Sequence, residues 1–191
     1  DGILEVTCRP HDDWPGHRAG QFLFANFGTP AEGAHPFTIA SAWQRKTGTL
    51  TLAIKALGDF TGKLPQTLHV GQTIKLEGPY GSFDFCPSGT VDRKKGPAPQ
   101  IWVAGGIGVN VTPFLARFND RIARTSAASE TDFFYCTPHA TDYPENLEAL
   151  CQQAGVRLHR RLTDQQGPLN PAEIEARLKP GASVWFCGPA G

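Results

Sequence analysis

The stretch Ile101-Trp102-Val103-Ala104-Gly105-Gly106-Ile107-Gly108 decides how the second half of the chain folds. Its first four residues are all apolar, which is typical of a strand buried on both faces of a parallel sheet. Glycines follow, and apolar residues at helical spacing run from Pro113 to Arg124. A glycine-rich turn between a strand and a helix brings backbone N–H groups close to an anion, for which a pyrophosphate is the obvious candidate. Such turns also occur for packing alone.

Downstream of this stretch, short apolar segments alternate with helical ones. The segments 133–136, 156–162 and 184–187 read as strands, and 144–153 reads as a helix. Asn170-Pro171-Ala172-Glu173 has the pattern of a capping box with proline at the first helical position. The order β-α-β-α-β-α-β predicts a Rossmann-like parallel sheet wound on both sides.

The first half of the chain has a different hydrophobic pattern. The segments 21–27, 49–55 and 73–77 are apolar or alternate with period two, and Gly78-Pro79-Tyr80-Gly81 reads as a turn. Strands at this spacing predict a small antiparallel barrel or sandwich. The fold class is therefore β + α/β, an antiparallel barrel followed by a doubly wound domain.

A stretch rich in Pro, Gly, Lys and Ser separates the two halves, and no apolar periodicity survives in it. We place the domains at 1–92 and 100–191, with a linker at 93–99. The sequence opens within a predicted strand and stops just after one, so we expect a piece of a longer polypeptide whose second domain is incomplete.

Composition excludes several classes of protein. Eighteen basic and eighteen acidic residues in 191 give a net charge of zero, which argues against a nucleic-acid partner. The five cysteines include no CxxC pair, so we predict no metal site. No apolar run reaches the roughly 18 residues that a membrane-spanning helix needs.

A second stretch, His35-Pro36-Phe37-Thr38, is by itself an ordinary loop and strand, and its value comes from its place in a series of motifs. In chain order these are Gly20-Gln21-Phe22, His35-Pro36-Phe37-Thr38, Gly58-Asp59-Phe60-Thr61, Gly78-Pro79-Tyr80-Gly81, Gly105-Gly106-Ile107-Gly108, Thr112-Pro113 and Cys187-Gly188-Pro189. The succession resembles the ferredoxin–NADP reductase superfamily, and within it the branch of NADPH oxidases and ferric reductases, whose flavin motif is His-Pro-Phe-Thr.

The resemblance implies that the barrel binds FAD and that the second domain binds NADPH or NADH. His35, Pro36, Phe37 and Thr38 would then line the isoalloxazine ring. Thr38 would hydrogen-bond near the reactive flavin nitrogen, and Ser41 would support the loop.

Many relatives carry an arginine at the start of this motif to neutralise the FAD pyrophosphate, where this chain has histidine. The positive charge would come instead from Lys55, with Gly58 and Thr61 closing round the phosphates. Lys55 is nearly as well explained as a solvated lysine on a strand.

On the nicotinamide side, the resemblance assigns the pyrophosphate to Gly105, Gly106 and Gly108. Thr112 would cap the helix that Pro113 opens. The nicotinamide ring would lie against Cys187, Gly188 and Pro189, at the carboxyl end of a parallel strand. Thr38 and Cys187 are thus the predicted catalytic residues.

The sequence departs from the family pattern in two informative places. Val109-Asn110-Val111 stand where relatives have one residue between the last glycine and Thr-Pro, so the phosphate loop must bulge or shift its register. Thr137-Pro138-His139 stand where relatives that prefer NADPH carry an arginine. Arg160 and Arg161 could replace that arginine or could be a solvated pair, so NADPH is favoured only weakly.

Taken together, these motifs predict a flavin-dependent oxidoreductase that passes a hydride from NAD(P)H to FAD and then single electrons to an acceptor. The branch implies that the acceptor is haem in a transmembrane domain of the same polypeptide, with this part on the cytoplasmic face of the membrane. One alternative is a soluble reductase that feeds an oxygenase or a ferredoxin. The other is a non-catalytic nucleotide-binding or regulatory module.

Overall fold

The computed structural model describes most of both halves of the chain. The described residues are 3–11, 13–28, 33–56, 58–85, 97–106, 111–123, 129–142 and 145–188. The predicted linker at 93–99 lies outside them except for its last three residues, so the domain boundary stays a prediction. Within the described ranges, no helix is long and apolar enough to cross a membrane.

The described residues of the first half form two small antiparallel sheets from five strands. These are β1 (Ile3–Cys8), β2 (Phe22–Asn26), β3 (His35–Thr38), β4 (Leu50–Lys55) and β5 (Lys75–Tyr80). One sheet pairs β1 with β4, and the other has the order β3-β2-β5. A bridge between Ile39 and Leu52 joins them, and the apolar face of β4 is buried between them, as its period-two alternation predicts.

The predicted turn at 78–81 is wrong in part, because β5 continues through Gly78 and Pro79 to Tyr80. The strand continues because Tyr80 pairs with Phe22 on β2. The register shifts by one residue between Phe22 and Phe24, which is how a bulge accommodates Gly-Pro inside a strand.

A helix in the first half, α1 (Asp59–Thr67), is absent from the sequence-based prediction. Its segment contains Gly62 and Pro65, which normally indicate a turn, and Leu64 is its only buried residue. The helix begins after Gly58, whose N–H donates to the Thr61 hydroxyl at 3.3 Å. With one buried side chain, it offers almost no apolar periodicity to detect.

The second half has the predicted architecture. In the part of this half that the structure describes, four parallel strands lie in the order β8-β7-β6-β9. They are β6 (Gln100–Gly105), β7 (Thr131–Thr137), β8 (Arg157–Leu162) and β9 (Ser183–Cys187). The helices are α2 (Thr112–Ala123), α3 (Leu147–Gln153), α4 (Thr163–Gln166) and α5 (Pro171–Glu175). The capping box of α5 is confirmed, with Asn170 accepting from the Ala172 N–H at 3.0 Å.

Side chains on alternate positions of β6 and β7 build a core on each face of the parallel sheet. Trp102, Ala104 and Phe133 pack with α2 and α3, whereas Val103 and Phe134 pack with residues around α5. Layers on both faces confirm the doubly wound prediction.

Residues of the first half also enter the core of the second. Ala19 and Phe85 are buried in the same cluster as Trp102 and Phe114. Gly20 has φ +90°, and a methyl group at that position would lie 1.8 Å from the Phe83 carbonyl oxygen. Gly20 therefore packs against the backbone of the segment that carries Phe85 into this core, where there is no room for a side chain.

We predict that Gly20→Ala lowers the free energy of unfolding by about 2 to 4 kcal/mol, because backbone strain at positive φ adds to steric overlap. Gly48→Ala is the matched control, since Gly48 has φ +60° but nothing within 4 Å of the added methyl group. It should cost only about 1 to 2 kcal/mol. Urea unfolding of both variants measures the difference, and equal losses would contradict the role of the Phe83 carbonyl.

Candidate cofactor sites

The strand β3 carries the predicted flavin motif on an open edge. The Ile39 N–H donates to Gln21 O at 2.9 Å, and the next N–H, of Ala40, donates away from β2 to Thr51 O at 2.8 Å. Because N–H directions alternate along a strand, the Thr38 N–H also points away from β2. A ligand beside this edge would therefore meet the backbone donor of Thr38.

The side chains of β3 divide between two faces. His35 and Phe37 lie opposite Ala25 and Leu23, which are fully buried, so these two point toward the interior side of the sheet. Pro36 and Thr38 point to the opposite face. The four motif residues thus surround the strand edge from both sides instead of lining a single surface.

His35 is the motif residue with the most specific surroundings. Its imidazole stacks on Phe60 in the first turn of α1, with ring centroids 4.1 Å apart and planes 22° apart. Its Nε2 atom is buried and has no hydrogen-bond partner among the residues that the structure describes. An unsatisfied buried ring nitrogen is costly, and a ligand atom between β3 and α1 would satisfy it.

The first turn of α1 supplies the neighbouring donors. Backbone N–H groups at a helix N-terminus have no partner within the helix and attract anions. Methyl groups added at Gly58 or Gly62 would have nothing within 4 Å, so there is space for a ligand beside this turn. Asp59 is the one opposing charge in that turn.

Lys55 ends β4, three residues separate it from α1, and its side chain is half-buried. No carboxylate in the described part of the chain forms an ion pair with it. Its predicted role beside the phosphates is compatible with this place but stays a prediction.

Ser41 is held just after the motif by two hydrogen bonds, and its predicted support of a flavin loop stays a prediction. Its hydroxyl accepts from the Thr51 N–H at 3.0 Å, and its carbonyl accepts from His17 Nε2 at 3.0 Å. The sequence-based reasoning missed His17, which is 8% exposed. Because a carbonyl can only accept, Nε2 must carry the proton, and Nδ1 is buried with no partner among the described residues.

A second set that sequence reasoning missed is aromatic. Phe22, Phe24 and Tyr80 form a triangle with ring centroids 5.8 to 5.9 Å apart. Phe22 is directly opposite Thr38 in the sheet, so the triangle lies on the Thr38 face. The only available signal was the alternation of Phe22 and Phe24 in the sequence.

At the carboxyl edge of the parallel sheet, the predicted nicotinamide residues converge. Gly105 ends β6, and Gly106, with φ +90°, donates its N–H to Cys136 O on β7 at 2.9 Å. On the other side, a methyl group at Gly188 would lie 3.2 Å from the Gly105 nitrogen. Gly108 and Pro189 lie outside the described residues, as does most of the extended loop at 109–111.

Thr112 is the first residue of α2 rather than its cap, and it is buried together with Pro113. The helix begins one residue earlier than predicted because Thr112 already has helical geometry. Both residues lie at the helix N-terminus that follows the glycine loop, as the resemblance requires.

Burial raises the pKa of the Cys187 thiol. A raised pKa keeps the thiol neutral near pH 7, which suits an apolar contact and not a nucleophile. Within the described ranges, no cluster of three metal-ligating side chains is present.

Arg160 and Arg161 are both engaged in ion pairs. Arg160 donates to Glu148 at 2.8 Å. Arg161 donates to Glu173 at 2.7 Å and to the backbone carbonyls of Gln166 and Gly167. Their arrangement anchors α3 and the region of α5, and it gives no support to a preference for NADPH.

Comparisons with known proteins agree with this geometry. Residues 1–84 match the model of a family described as FAD-binding domain. Over 130 residues the chain is 30% identical to the carnitine monooxygenase reductase subunit of Escherichia coli (strain K12), covering 66% of this chain and 35% of that protein.

Two solved structures show the same fold. Ferredoxin-NADP+ reductase from Plasmodium falciparum has a TM-score of 0.71 at 15% identity, covering 96% of this chain and 79% of that one. An intact type IV self-sufficient cytochrome P450 monooxygenase has a TM-score of 0.69 at 20% identity, covering 98% of this chain and 23% of that one.

Residues 1–84 are thus similar to an FAD-binding domain, and the described part of the chain has the two-domain fold of ferredoxin-NADP+ reductase. These similarities indicate FAD and NADPH or NADH as the cofactors. The chain spans about a third of the curated relative, with 35% of that protein's length covered.

We predict that stability falls as the pH drops below about 6.5, the ordinary pKa of histidine. Burial lowers the pKa of His17, an effect that the hydrogen bond to Ser41 opposes only in part. The unfolded state therefore binds a proton at a higher pH than the folded state does. His17→Gln, which can still donate to Ser41 O, should remove this part of the pH dependence in urea unfolding. His11→Gln, on the exposed part of the same segment, should leave it unchanged.

Proposed function

We propose that this chain is the reductase part of an electron-transfer system that takes a hydride from NAD(P)H and delivers single electrons to a separate redox centre. The observation that carries the proposal lies between the open edge of β3 and the first turn of α1. There, His35 Nε2 is buried without a partner in the described part of the chain. These features suit a ligand that has both a polar ring and a phosphate group. The strand edge can hydrogen-bond the ring, and the helix N-terminus and the unsatisfied ring nitrogen can bind the phosphate.

The residues present fit FAD. His35 and the α1 N-terminus would hold the pyrophosphate, with Lys55 adding positive charge from β4. The Thr38 N–H would hydrogen-bond the edge of the isoalloxazine ring, and Ser41, fixed by His17 and Thr51, would hold the backbone that follows. The Phe27 ring lies 5.7 Å from the Phe37 ring and 6.3 Å from the Phe60 ring, and these rings would shield the site from water.

The nicotinamide side fits a second nucleotide. Gly105 and Gly106 would allow close approach of a pyrophosphate to the α2 N-terminus. Cys187 ends β9 beside them and is followed by Gly188. Bound FAD can accept two electrons as a hydride and release them one at a time, which is the chemistry that the cofactor supplies. The protein's part is to orient the two rings and exclude water.

For the acceptor, we propose an oxygenase or cytochrome P450 component. The curated relative is named as the reductase subunit of a monooxygenase, and one structural neighbour is a self-sufficient P450. A haem in a transmembrane domain of the same polypeptide is the second candidate, favoured by the His-Pro-Phe-Thr motif itself. Paired histidines in apolar segments upstream in the gene would favour membrane haem, and a plant-type cysteine cluster would favour the soluble system.

The test is an anaerobic titration of the FAD-loaded protein with NADPH and then NADH, followed by visible absorption. We expect the flavin band to bleach with at least one nucleotide, and cytochrome c or ferricyanide to restore it. Tight FAD binding without bleaching by either nucleotide would favour a regulatory module. Absence of FAD binding would overturn the proposal.

A second prediction concerns His35. His35→Ala should weaken FAD binding about tenfold, or about 1.4 kcal/mol, because it removes the ring nitrogen and the stack on Phe60. Quenching of FAD fluorescence on binding measures the dissociation constant. His69→Ala, at the exposed opposite end of α1, is the matched control and should bind FAD like the wild type. Equal affinity in all three proteins would show that His35 does not contact the cofactor.

A further inference from the structure

The five residues Gly81–Phe85, which we name the interdomain clasp, connect the end of β5 to the core of the second half. Their side chains and backbone contact both halves of the protein. The clasp lies between the two candidate sites, and neither site uses its residues directly.

The first half holds the clasp by its backbone and its carboxylate. Gln21 Nε2 donates to Gly81 O at 3.2 Å, and Arg18 pairs with Asp84 at 2.8 Å. The Asp84 side chain is only 8% exposed, so this ion pair is partly shielded from water. The close approach of Gly20 to the Phe83 carbonyl adds a steric contact at the same place.

The second half holds the clasp by its aromatic rings. Phe85 is 2% exposed, and its ring lies 5.1 Å from Trp102 and 5.4 Å from Trp185. Its carbonyl accepts from Gln100 Nε2 at 3.0 Å in the buried core. Phe85 has φ +60°, which a bulky residue adopts only where its surroundings require it.

The clasp also lies on a short path between the candidate sites. On the barrel side, a methyl group at Gly81 would lie 3.1 Å from the Phe22 ring, and Phe22 is opposite Thr38. On the other side, the Phe83 ring lies 5.4 Å from Trp185, two residues before Cys187 on β9. Displacing the clasp would therefore move the flavin strand relative to the nicotinamide strand.

We propose that the interdomain clasp sets the distance and angle at which the nicotinamide meets the flavin, with Phe83 and Phe85 as positioning residues. The inference rests on the proposed function. Hydride transfer requires reacting atoms about 3 to 3.5 Å apart, and a displacement of about 1 Å can lower the rate a hundredfold. A buried aromatic anchor at the junction provides this precision because packed cores do not deform continuously.

The first measurement does not depend on activity. The FAD-loaded wild type is heated while FAD fluorescence reports cofactor release and circular dichroism reports loss of helix. The two transitions should coincide, because the clasp couples the two halves. Phe83→Ala should separate the two transitions by about 5 °C or more. Phe118→Ala is the matched control, since Phe118 is fully buried against Trp102 and Phe133 but makes no ring contact with the clasp. It should lower both temperatures together.

The second measurement follows anaerobic reduction by whichever nucleotide bleaches the wild type. Phe83→Ala should lower the limiting rate of flavin reduction about tenfold or more and weaken the long-wavelength charge-transfer absorption between nicotinamide and flavin. The FAD dissociation constant should change less than about twofold, because the clasp does not touch the β3 edge. Phe83→Leu keeps most of the buried volume, so it should recover much of the reduction rate and of the charge-transfer absorption. It replaces Phe83→Ala as the test variant if Phe83→Ala fails to fold.

The outcomes separate the two proposals. If the wild type is reduced and Phe83→Ala is reduced as fast with an undiminished charge-transfer band, the clasp proposal is overturned and the proposed function stands. Transitions that are already separate in the wild type would also overturn it. If neither nucleotide reduces the wild type, the proposed function fails, and the role of the clasp in hydride transfer fails with it.

Discussion

The buried contact of Phe85 with the tryptophans of the parallel sheet is the constraint on which the arrangement of the two halves depends. A barrel of five short strands and a four-stranded parallel sheet each bury little surface alone, and small domains are correspondingly marginal. Phe85 extends the core of the second half into the end of the first, and Gln100 satisfies the backbone carbonyl that this insertion buries. The positive φ of Phe85 is a cost that this packing offsets.

The same junction explains why Gly20 stands before the buried Gln21. Gln21 occupies a crowded position where its amide donates to Gly81 O and accepts from the Arg18 N–H. The chain can turn tightly enough to do this only if the preceding residue lacks a side chain. A motif that the sequence shows as Gly-Gln-Phe is thus explained by contacts with a segment some sixty residues later in the chain.

The parallel sheet could be predicted from sequence because its signals are local. Wholly apolar strands, a capping box at Asn170 and helical spacing after Pro113 each indicate one element, and the handedness of crossovers leaves few topologies. The candidate site in the first half could be predicted only by resemblance. The stack of His35 on Phe60 joins residues 25 positions apart, and the helix that carries Phe60 has a glycine and a proline inside it. His17 was missed because nothing in its own segment points to Ser41, which it reaches only through the fold.

The two faces of β3 suit the proposed binding of a large cofactor at the edge of this short strand. His35 and Phe37 turn inward beside α1, whereas Thr38 shares its face with the Phe22, Phe24 and Tyr80 triangle. A planar ring at the strand edge can contact both faces while receiving a backbone hydrogen bond between them. Proline at position 36 fits this arrangement. The backbone nitrogen of residue 36 faces the same edge as that of Thr38, and proline has no N–H to present there. The Thr38 N–H is then the backbone donor that this edge presents beside the ring. A single donor fixes the position of the ring more specifically than two neighbouring donors would.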